Sequence, residues 1–197
     1  MTETTIELTC PGCGARVSID QKVCQYCHAP IVISTFNSVA SMSMPELHKY
    51  TGTYRQGLAD NPDNADLNKS LAMCYLKLKM YRQASAAFEK AIAENFDDSE
   101  SFFYAAIAAL NGKKAFLAGR AAIDQSIEYI EAALAIAPKG IYYYFLAYVK
   151  YDFFARKHFR TSPDYQEVLR NAQAMGISEN DVVQLFAILG VTRPSVL

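Results

Sequence analysis

Apolar residues recur at helical spacing over most of the chain, from about residue 45 to residue 189. Side chains three and four positions apart share one face of a helix, so this spacing predicts amphipathic helices that bury one stripe. Ser43 and Glu46 have the spacing of a capping box, and Pro45 suits a first helical turn. A helix is therefore predicted from about Pro45 to Leu58.

Helix signals also mark the end of the chain. A helix is predicted from Pro163 to Met175, capped by Ser162 and stopped by Gly176. The last helix is predicted over 179–189, between a capping serine and a terminal glycine. This last helix would cover the open end of a helical array.

The N-terminal segment, 1–33, lacks the helical period and holds four of the five cysteines, in the pattern CxxC-x10-CxxC: Cys10, Cys13, Cys24 and Cys27. Four thiolates at this spacing match a closed tetrahedral zinc site. A segment of about 30 residues is too short to sustain a core unaided, so metal binding would supply its folding energy. Gly14 and His28 follow the two knuckles where the backbone turns left-handed, which predicts a turn residue at His28 rather than a fifth ligand.

Three other interpretations of the cysteines are disfavoured. A catalytic zinc needs an open coordination position, which four thiolates fill. A rubredoxin-like iron centre uses similar knuckles, and the ligands alone leave iron open, but this segment is poor in the aromatics that would bury it. A nucleic-acid-binding ribbon should be basic, whereas here acidic residues and a tetrathiolate site outweigh Arg16 and Lys22.

The stretch "CPGCGARVSIDQKVCQYCHAPI" resembles the short zinc-ribbon domains at the N-termini of many bacterial proteins. It departs from their pattern at Gln25, where Pro is frequent, and at His28, where Gly is usual. The resemblance covers the segment 1–33. It implies one structural Zn²⁺ and a binding module without catalytic activity of its own.

Residues 34–44, "STFNSVASMSM", are small and polar and predict a tether. The predicted organisation is a zinc ribbon over 1–33, a linker over 34–44, helical repeats over 45–176 and a capping helix with a tail over 177–197. Because the tether should make few apolar contacts, we expect zinc to stabilise the ribbon and leave the helices largely independent.

The helical part repeats with a period of about 34 residues. The repeat is clearest over 65–98, where the small and large packing positions are Leu71, Ala72, Tyr75, Ala84, Phe88 and Ala91. The next unit, 99 to about 140, fits with eight extra residues in or near "NGKKAFLAGRAAIDQ", as a loop or as added helical turns. A further unit starts near Ile141.

This pattern resembles the tetratricopeptide repeat (TPR) family over roughly 45–175. The resemblance implies a mainly α fold, a TPR-like α-solenoid of antiparallel hairpins, that binds proteins along a concave face.

The register of the first helices predicts a partner-binding set on that face: Lys69, Met73, Leu76, Phe103, Ile107, Leu110, Tyr142, Phe145, Val149 and Phe153. Each apolar member could instead be core, because apolar stripes at helical spacing usually are. Together they suggest a groove for an apolar peptide, a partner helix or the chain's own C-terminal segment. Some TPR proteins clamp an acidic chaperone tail, but only Lys69 matches that clamp, since Met73 stands where Asn is needed.

Composition and motifs indicate a soluble, cytoplasmic, non-enzymatic protein. The formal charge is −1, the N-terminus lacks the pattern of a signal peptide, and no apolar run is long enough to span a membrane. No catalytic or phosphate-binding motif occurs, and Cys74 lies where a buried small residue is expected. We therefore expect neither a small-molecule substrate nor a membrane association.

Two basic clusters, "GKK" at 112–114 with Arg120 and "ARKHFR" at 155–160, are interpreted as solvated surface, with contact patches for acidic partners as the alternative. The leading hypothesis is a non-catalytic adaptor or scaffold that binds a protein partner or itself. The alternative is a nucleic-acid-associated regulator that uses the ribbon or the basic clusters. A subunit of a larger enzyme cannot be separated from the adaptor on sequence alone.

Overall fold

A computed structural model describes residues 6–197 of the chain. Its contacts form two compact units, an N-terminal unit that ends at Phe96 and a C-terminal unit that begins at Asp97. This division differs from the predicted one, which separated residues 1–33 from the helices and kept 45–176 together. The difference arises because the cysteine-containing segment packs against the first helices.

In its described residues, 6–96, the N-terminal unit combines a two-stranded sheet with four helices. Strand β1 (Glu7–Thr9) pairs antiparallel with β2 (Arg16–Ser18), with Leu8 opposite Val17. Both of these side chains are buried, so the small sheet has one apolar face. The helices are α1 (Asn37–Ala40), α2 (Met44–Asp60), α3 (Ala65–Lys77) and α4 (Tyr81–Glu94).

The start of α2 follows from its capping residues. The backbone N–H of Ser43 donates to Glu46 Oε2 over 2.8 Å, which satisfies a backbone donor at the helix N-terminus. Pro45 occupies the first turn. The helix predicted over residues 45–58 is thus confirmed.

Helices α3 and α4 form the hairpin predicted by the best repeat. Five of the six repeat positions are buried, and Tyr75 is half-buried. Ala84, Phe88 and Ala91 are buried on α4, which packs closely against α3. Cys74 is also buried, as predicted.

The segment predicted as a tether is packed against α3. Helix α1 contacts α3, and Phe36 and Val39 are buried. Directly before this segment, the backbone N–H of Ile33 donates to Ser70 Oγ over 2.9 Å. The prediction of a tether with few apolar contacts is wrong, because the short polar stretch carries two apolar residues, Phe36 and Val39, that are buried where α1 packs against α3.

The C-terminal unit contains five α-helices among the described residues: α5 (Ser99–Ala109), α6 (Arg120–Ile136), α7 (Gly140–Val149), α8 (Tyr165–Ala174) and α9 (Glu179–Leu189). The extra residues between α5 and α6 form a loop with a short 3₁₀ turn, Ala115–Leu117. Helix α7 continues into a π-helical turn, Lys150–Phe154, and a 3₁₀ turn, Ala155–Lys157.

Helices α7 and α8 approach closely because residue 140 is glycine. A Cβ atom there would lie 2.3 Å from the carbonyl oxygen of Gly176. The N-cap of α8 is Asp164, whose side chain accepts from the Glu167 N–H over 2.8 Å, rather than the predicted Ser162. Helix α9 has the predicted bounds and is followed by Gly190, which adopts the left-handed conformation.

Candidate metal centre

The four predicted ligands come together at the end of the small sheet. The Sγ atoms of the four cysteines all lie within 4.8 Å of one another. Cys10 Sγ is 3.5 Å from Cys27 Sγ, and Cys13 Sγ is 3.8 Å from Cys24 Sγ. Zinc–sulfur bonds of about 2.3 Å in a tetrahedron place sulfur atoms about 3.8 Å apart. The cysteines therefore fit a single bound metal ion.

Two equivalent backbone turns, the first knuckle (residues 10–14) and the second knuckle (residues 24–28), hold these sulfur atoms. The Gly14 N–H donates to the Cys10 carbonyl, and the His28 N–H donates to the Cys24 carbonyl, each over 2.9 Å. Gly14 has φ of 79° and His28 has φ of 58°, so both lie in the left-handed region. The interpretation of His28 as a turn residue is confirmed.

Gly12 is required by the close approach of the two knuckles. A Cβ atom at this position would lie 2.9 Å from Ala29 Cβ and 3.0 Å from Cys27 Sγ. Any larger residue would push the two knuckles apart and widen the space between the sulfur atoms. The sequence pattern alone did not indicate this requirement.

The thiols differ in how readily they give up a proton. The backbone N–H of Cys27 favours the Cys24 thiolate, and the pKa of Cys24 is lowered to about 7. The N–H of Ala29 also favours a thiolate at Cys27, but desolvation and the adjacent thiols raise its pKa to about 12. All four cysteines can ionise together only when a bound cation balances their charge.

Two of the four cysteines face solvent. Cys10 and Cys24 are buried, whereas Cys13 and Cys27 are exposed. Beside the second knuckle, Val23 is 51% exposed and Tyr26 is 66% exposed. The cysteine-bearing segment, residues 6–33, which we call the ribbon, thus presents two apolar side chains next to the metal-ligand cluster.

The ribbon is also fixed to α2. Leu8 fills a notch over Gly57, where a Cβ atom would lie 2.5 Å from Leu8 Cδ2. The Thr53 hydroxyl donates to the Thr9 carbonyl over 3.3 Å. Since Cys10 follows Thr9 directly, the first knuckle is anchored to the helix one residue away from a metal ligand.

A second anchor follows the other knuckle. The Tyr54 hydroxyl donates to the Ile31 carbonyl over 3.0 Å, and both residues are buried. Burial raises the pKa of Tyr54 well above its ordinary value, so the hydroxyl keeps its proton and remains a donor. The ribbon is therefore held to α2 on both sides of the cysteine cluster.

The predicted concave-face set is largely buried inside the two units. In the C-terminal unit Phe103 stacks on Tyr142 at 4.6 Å between ring centroids and meets Phe145 edge-on at 6.0 Å. Helix α9 packs against both α5 and α7. Seven members of the set are thus core residues of this unit: Phe103, Ile107, Leu110, Tyr142, Phe145, Val149 and Phe153.

The members in the N-terminal unit follow the same trend. Met73 and Leu76 are buried, and Lys69 is half-buried. The expectation that these apolar residues line an open groove is corrected, because nine of the ten side chains are covered. Partner binding stays a prediction for Lys69. For the nine buried residues it would require a conformation in which they are exposed.

Comparison with known proteins supports the helical hairpins. The sequence model described as "Tetratricopeptide repeat" matches residues 53–110. The solved structure described as "MamA MSR-1 C2" is similar to this chain with a TM-score of 0.52 and 19% sequence identity. That similarity covers 70% of this chain and 75% of the other. Among curated proteins, none gives a significant match.

These similarities agree with the observed hairpins α3–α4, α5–α6 and α7–α8. The fold is mainly α, of the TPR-like α-solenoid class, and the predicted fold class is confirmed. Across residues 6–197, none of the helices combines the length and apolar character that a membrane crossing requires.

Proposed function

We propose that this chain is a non-catalytic scaffold that binds a protein partner, and that its four cysteines hold one structural Zn²⁺. The observation that carries the proposal is the cysteine cluster itself, four sulfur atoms within 4.8 Å of one another on a ribbon anchored to TPR-like helices. Repeats of this class generally serve as binding surfaces for other proteins.

Zinc suits the donor set. Four thiolates are soft ligands in a closed tetrahedron, which is the arrangement of structural zinc sites. When bound, the ion would balance the thiolate charge and join the two knuckles. The geometry leaves no ligand position for a substrate, which supports a structural role over a catalytic one.

The ribbon offers a surface for the partner. Tyr26 and Val23 are exposed apolar side chains next to Cys24 and Cys27, and the knuckle fixes the backbone that carries them. Aromatic side chains on a rigid backbone are frequent anchors of protein interfaces. We therefore propose the second knuckle as the contact region in place of the buried concave set.

The remaining cysteine supports the non-catalytic proposal. Cys74 is buried in α3, and burial raises the pKa of its thiol to about 12. A thiol in this state is protonated near neutral pH and cannot act as a nucleophile. Cys74 is thus a core residue.

Affinity purification of the metal-loaded chain from its native cell tests this function. We expect a stoichiometric protein partner that is lost in a Val23→Ser/Tyr26→Ser variant. Val183→Ser, at a residue that is 59% exposed on α9, is the matched control and should retain the partner. Equal recovery with both variants would contradict the contact region, and absence of any partner would contradict the scaffold.

A further inference from the structure

The fold brings the two basic clusters together in the C-terminal unit. The loop with the 3₁₀ turn Ala115–Leu117 packs against the π-helical turn Lys150–Phe154. Residues 111–123 and 153–163 contain no Asp or Glu. Two segments that lie far apart in the sequence thereby form one basic surface.

Asp152 fastens the two segments to each other. Its carboxylate is 2% exposed, accepts from the Phe116 N–H over 2.7 Å and pairs with Arg156. The Tyr148 hydroxyl also accepts, from the Ala115 N–H over 3.2 Å. The loop is therefore held by buried hydrogen bonds rather than left as a solvated excursion.

Cations cover the aromatic rings at this junction. The Arg156 guanidinium lies 4.4 Å from the centroid of the Phe116 ring. Lys157 Nζ lies 5.1 Å from that ring and 3.7 Å from the Phe153 ring. These contacts fix the positions of two positive charges on the surface.

Much of the positive charge has no carboxylate partner. Arg120 pairs with Asp124, and Arg156 pairs with Asp152. In the part of the chain that the structure describes, no ion pair is formed by the other four cations of the surface: Lys113, Lys114, Lys157 and Arg160. Leu117 and Phe159 lie in the same two segments and are 67% and 56% exposed.

We propose that this basic surface, made by residues 113–120 and 153–160, binds an acidic protein segment that carries apolar side chains between its carboxylates. The proposal rests on the scaffold function, since it names the chemistry of a partner. Unpaired cations favour a chain of carboxylates, and Leu117 and Phe159 offer apolar contacts between them.

The same observations disfavour nucleic acid as the occupant. Single strands are held by successive bases that stack on free aromatic faces. The ring of Phe116 is already covered by Arg156 and Lys157, and Leu117 has no aromatic face. Phe159 alone would be open to a base.

Direct binding of a labelled synthetic peptide to the purified full-length chain tests the proposal. The probe has the sequence EEDFEELEDE, and its binding is measured by fluorescence anisotropy at low and moderate salt. A second peptide with Ala in place of Phe and Leu tests the apolar contribution, and a single-stranded oligonucleotide of similar length tests the phosphate alternative.

The expected result is saturable binding of the first peptide, with weaker binding of its alanine version. A Lys114→Glu/Arg160→Glu variant should bind about tenfold more weakly, since two attractive contacts are lost and each reversed charge adds repulsion. Arg82→Glu/Lys90→Glu, on exposed positions of α4, is the matched control and should bind normally.

Other outcomes would overturn the proposal. No saturable peptide binding at low salt, or equal loss in both variants, would show that this surface has no such role. Tighter binding of the oligonucleotide with the same loss in the Lys114/Arg160 variant would show a surface for phosphate. Failure of this proposal is distinguishable from failure of the scaffold function, because a cellular partner can still be recovered through the ribbon when the peptide does not bind.

Discussion

Leu8 of the ribbon fits over Gly57 of α2, and the contact exists because residue 57 has no side chain. A Cβ atom on Gly57 would lie 2.5 Å from Leu8 Cδ2 and 3.1 Å from Leu67 Cδ1. One position in α2 therefore accommodates both the ribbon and the next helix. The metal-ligand segment is part of the N-terminal unit, and its stability should be linked to that of the helices.

Gly57→Ala should destabilise the N-terminal unit. The added methyl group overlaps Leu8, and overpacking of this kind costs about 1–3 kcal/mol. Gly52→Ala is the matched control, because the same helix has open space there, and it should raise stability by up to about 1 kcal/mol. Urea denaturation gives both free energies of unfolding. Equal stabilisation by the two changes would show that Leu8 does not pack closely over Gly57.

His28→Gly should stabilise the ribbon without changing its metal content. The residue has φ of 58°, which glycine adopts without the strain that other residues carry. We expect a gain of up to about 1 kcal/mol, with one metal ion per chain retained by elemental analysis. Gly14→Ala places a side chain at the equivalent turn and should destabilise. Loss of metal in His28→Gly would show that the imidazole is a ligand after all.

Tyr54→Phe should lower the stability of the N-terminal unit by about 1 kcal/mol or more. The change removes the hydroxyl that donates to the Ile31 carbonyl and leaves that buried oxygen without its donor. Tyr26→Phe, at an exposed position, serves as the control and should leave the free energy of unfolding unchanged. Equal effects in urea denaturation would show that the Tyr54 hydrogen bond contributes nothing.

The stability of the chain should fall as the pH rises above 9. Burial raises the pKa of the Cys74 thiol from 9.0 to about 12, so between these values the unfolded thiol loses a proton that the folded thiol keeps. The contribution of the protonated Cys74 thiol to the free energy of unfolding is full below pH 9. It declines by about 1.4 kcal/mol per pH unit as the pH rises toward 12. Cys74→Ala should show a shallower decline than the wild type between pH 9 and 11. Parallel curves would contradict the assigned burial.

Local sequence signals predicted the local structure well. The spacing of Cys10, Cys13, Cys24 and Cys27 indicated their convergence, because two short knuckles leave few other arrangements. The capping signals of Ser43 and of the serine before α9 gave helix starts that the structure confirms. These features depend on neighbours within a few positions of the chain.

Features that depend on distant contacts were not predictable in the same way. The polar composition of residues 34–44 concealed Phe36 and Val39, whose burial depends on α3. The two basic clusters form one surface because Asp152 bonds to the backbone of Phe116, and nothing in either segment alone indicates this bond. The chain's own C-terminal segment was one of three predicted occupants of the concave face, and α9 does pack against α5 and α7, but the register of the first helices could not distinguish it from a partner.

Hydrogen exchange with and without the metal tests whether the ribbon and the helices are linked in stability. The full-length chain is compared by mass spectrometry before and after strong chelation, with metal content measured in parallel. We predict that loss of one metal ion accelerates exchange in α2 and α3 as well as in the ribbon, because Leu8, Thr9 and Ile31 anchor it to α2. Helix α6 serves as the internal control and should keep its protection. Unchanged protection of α2 and α3 after the metal is lost would contradict the linkage of ribbon and helices.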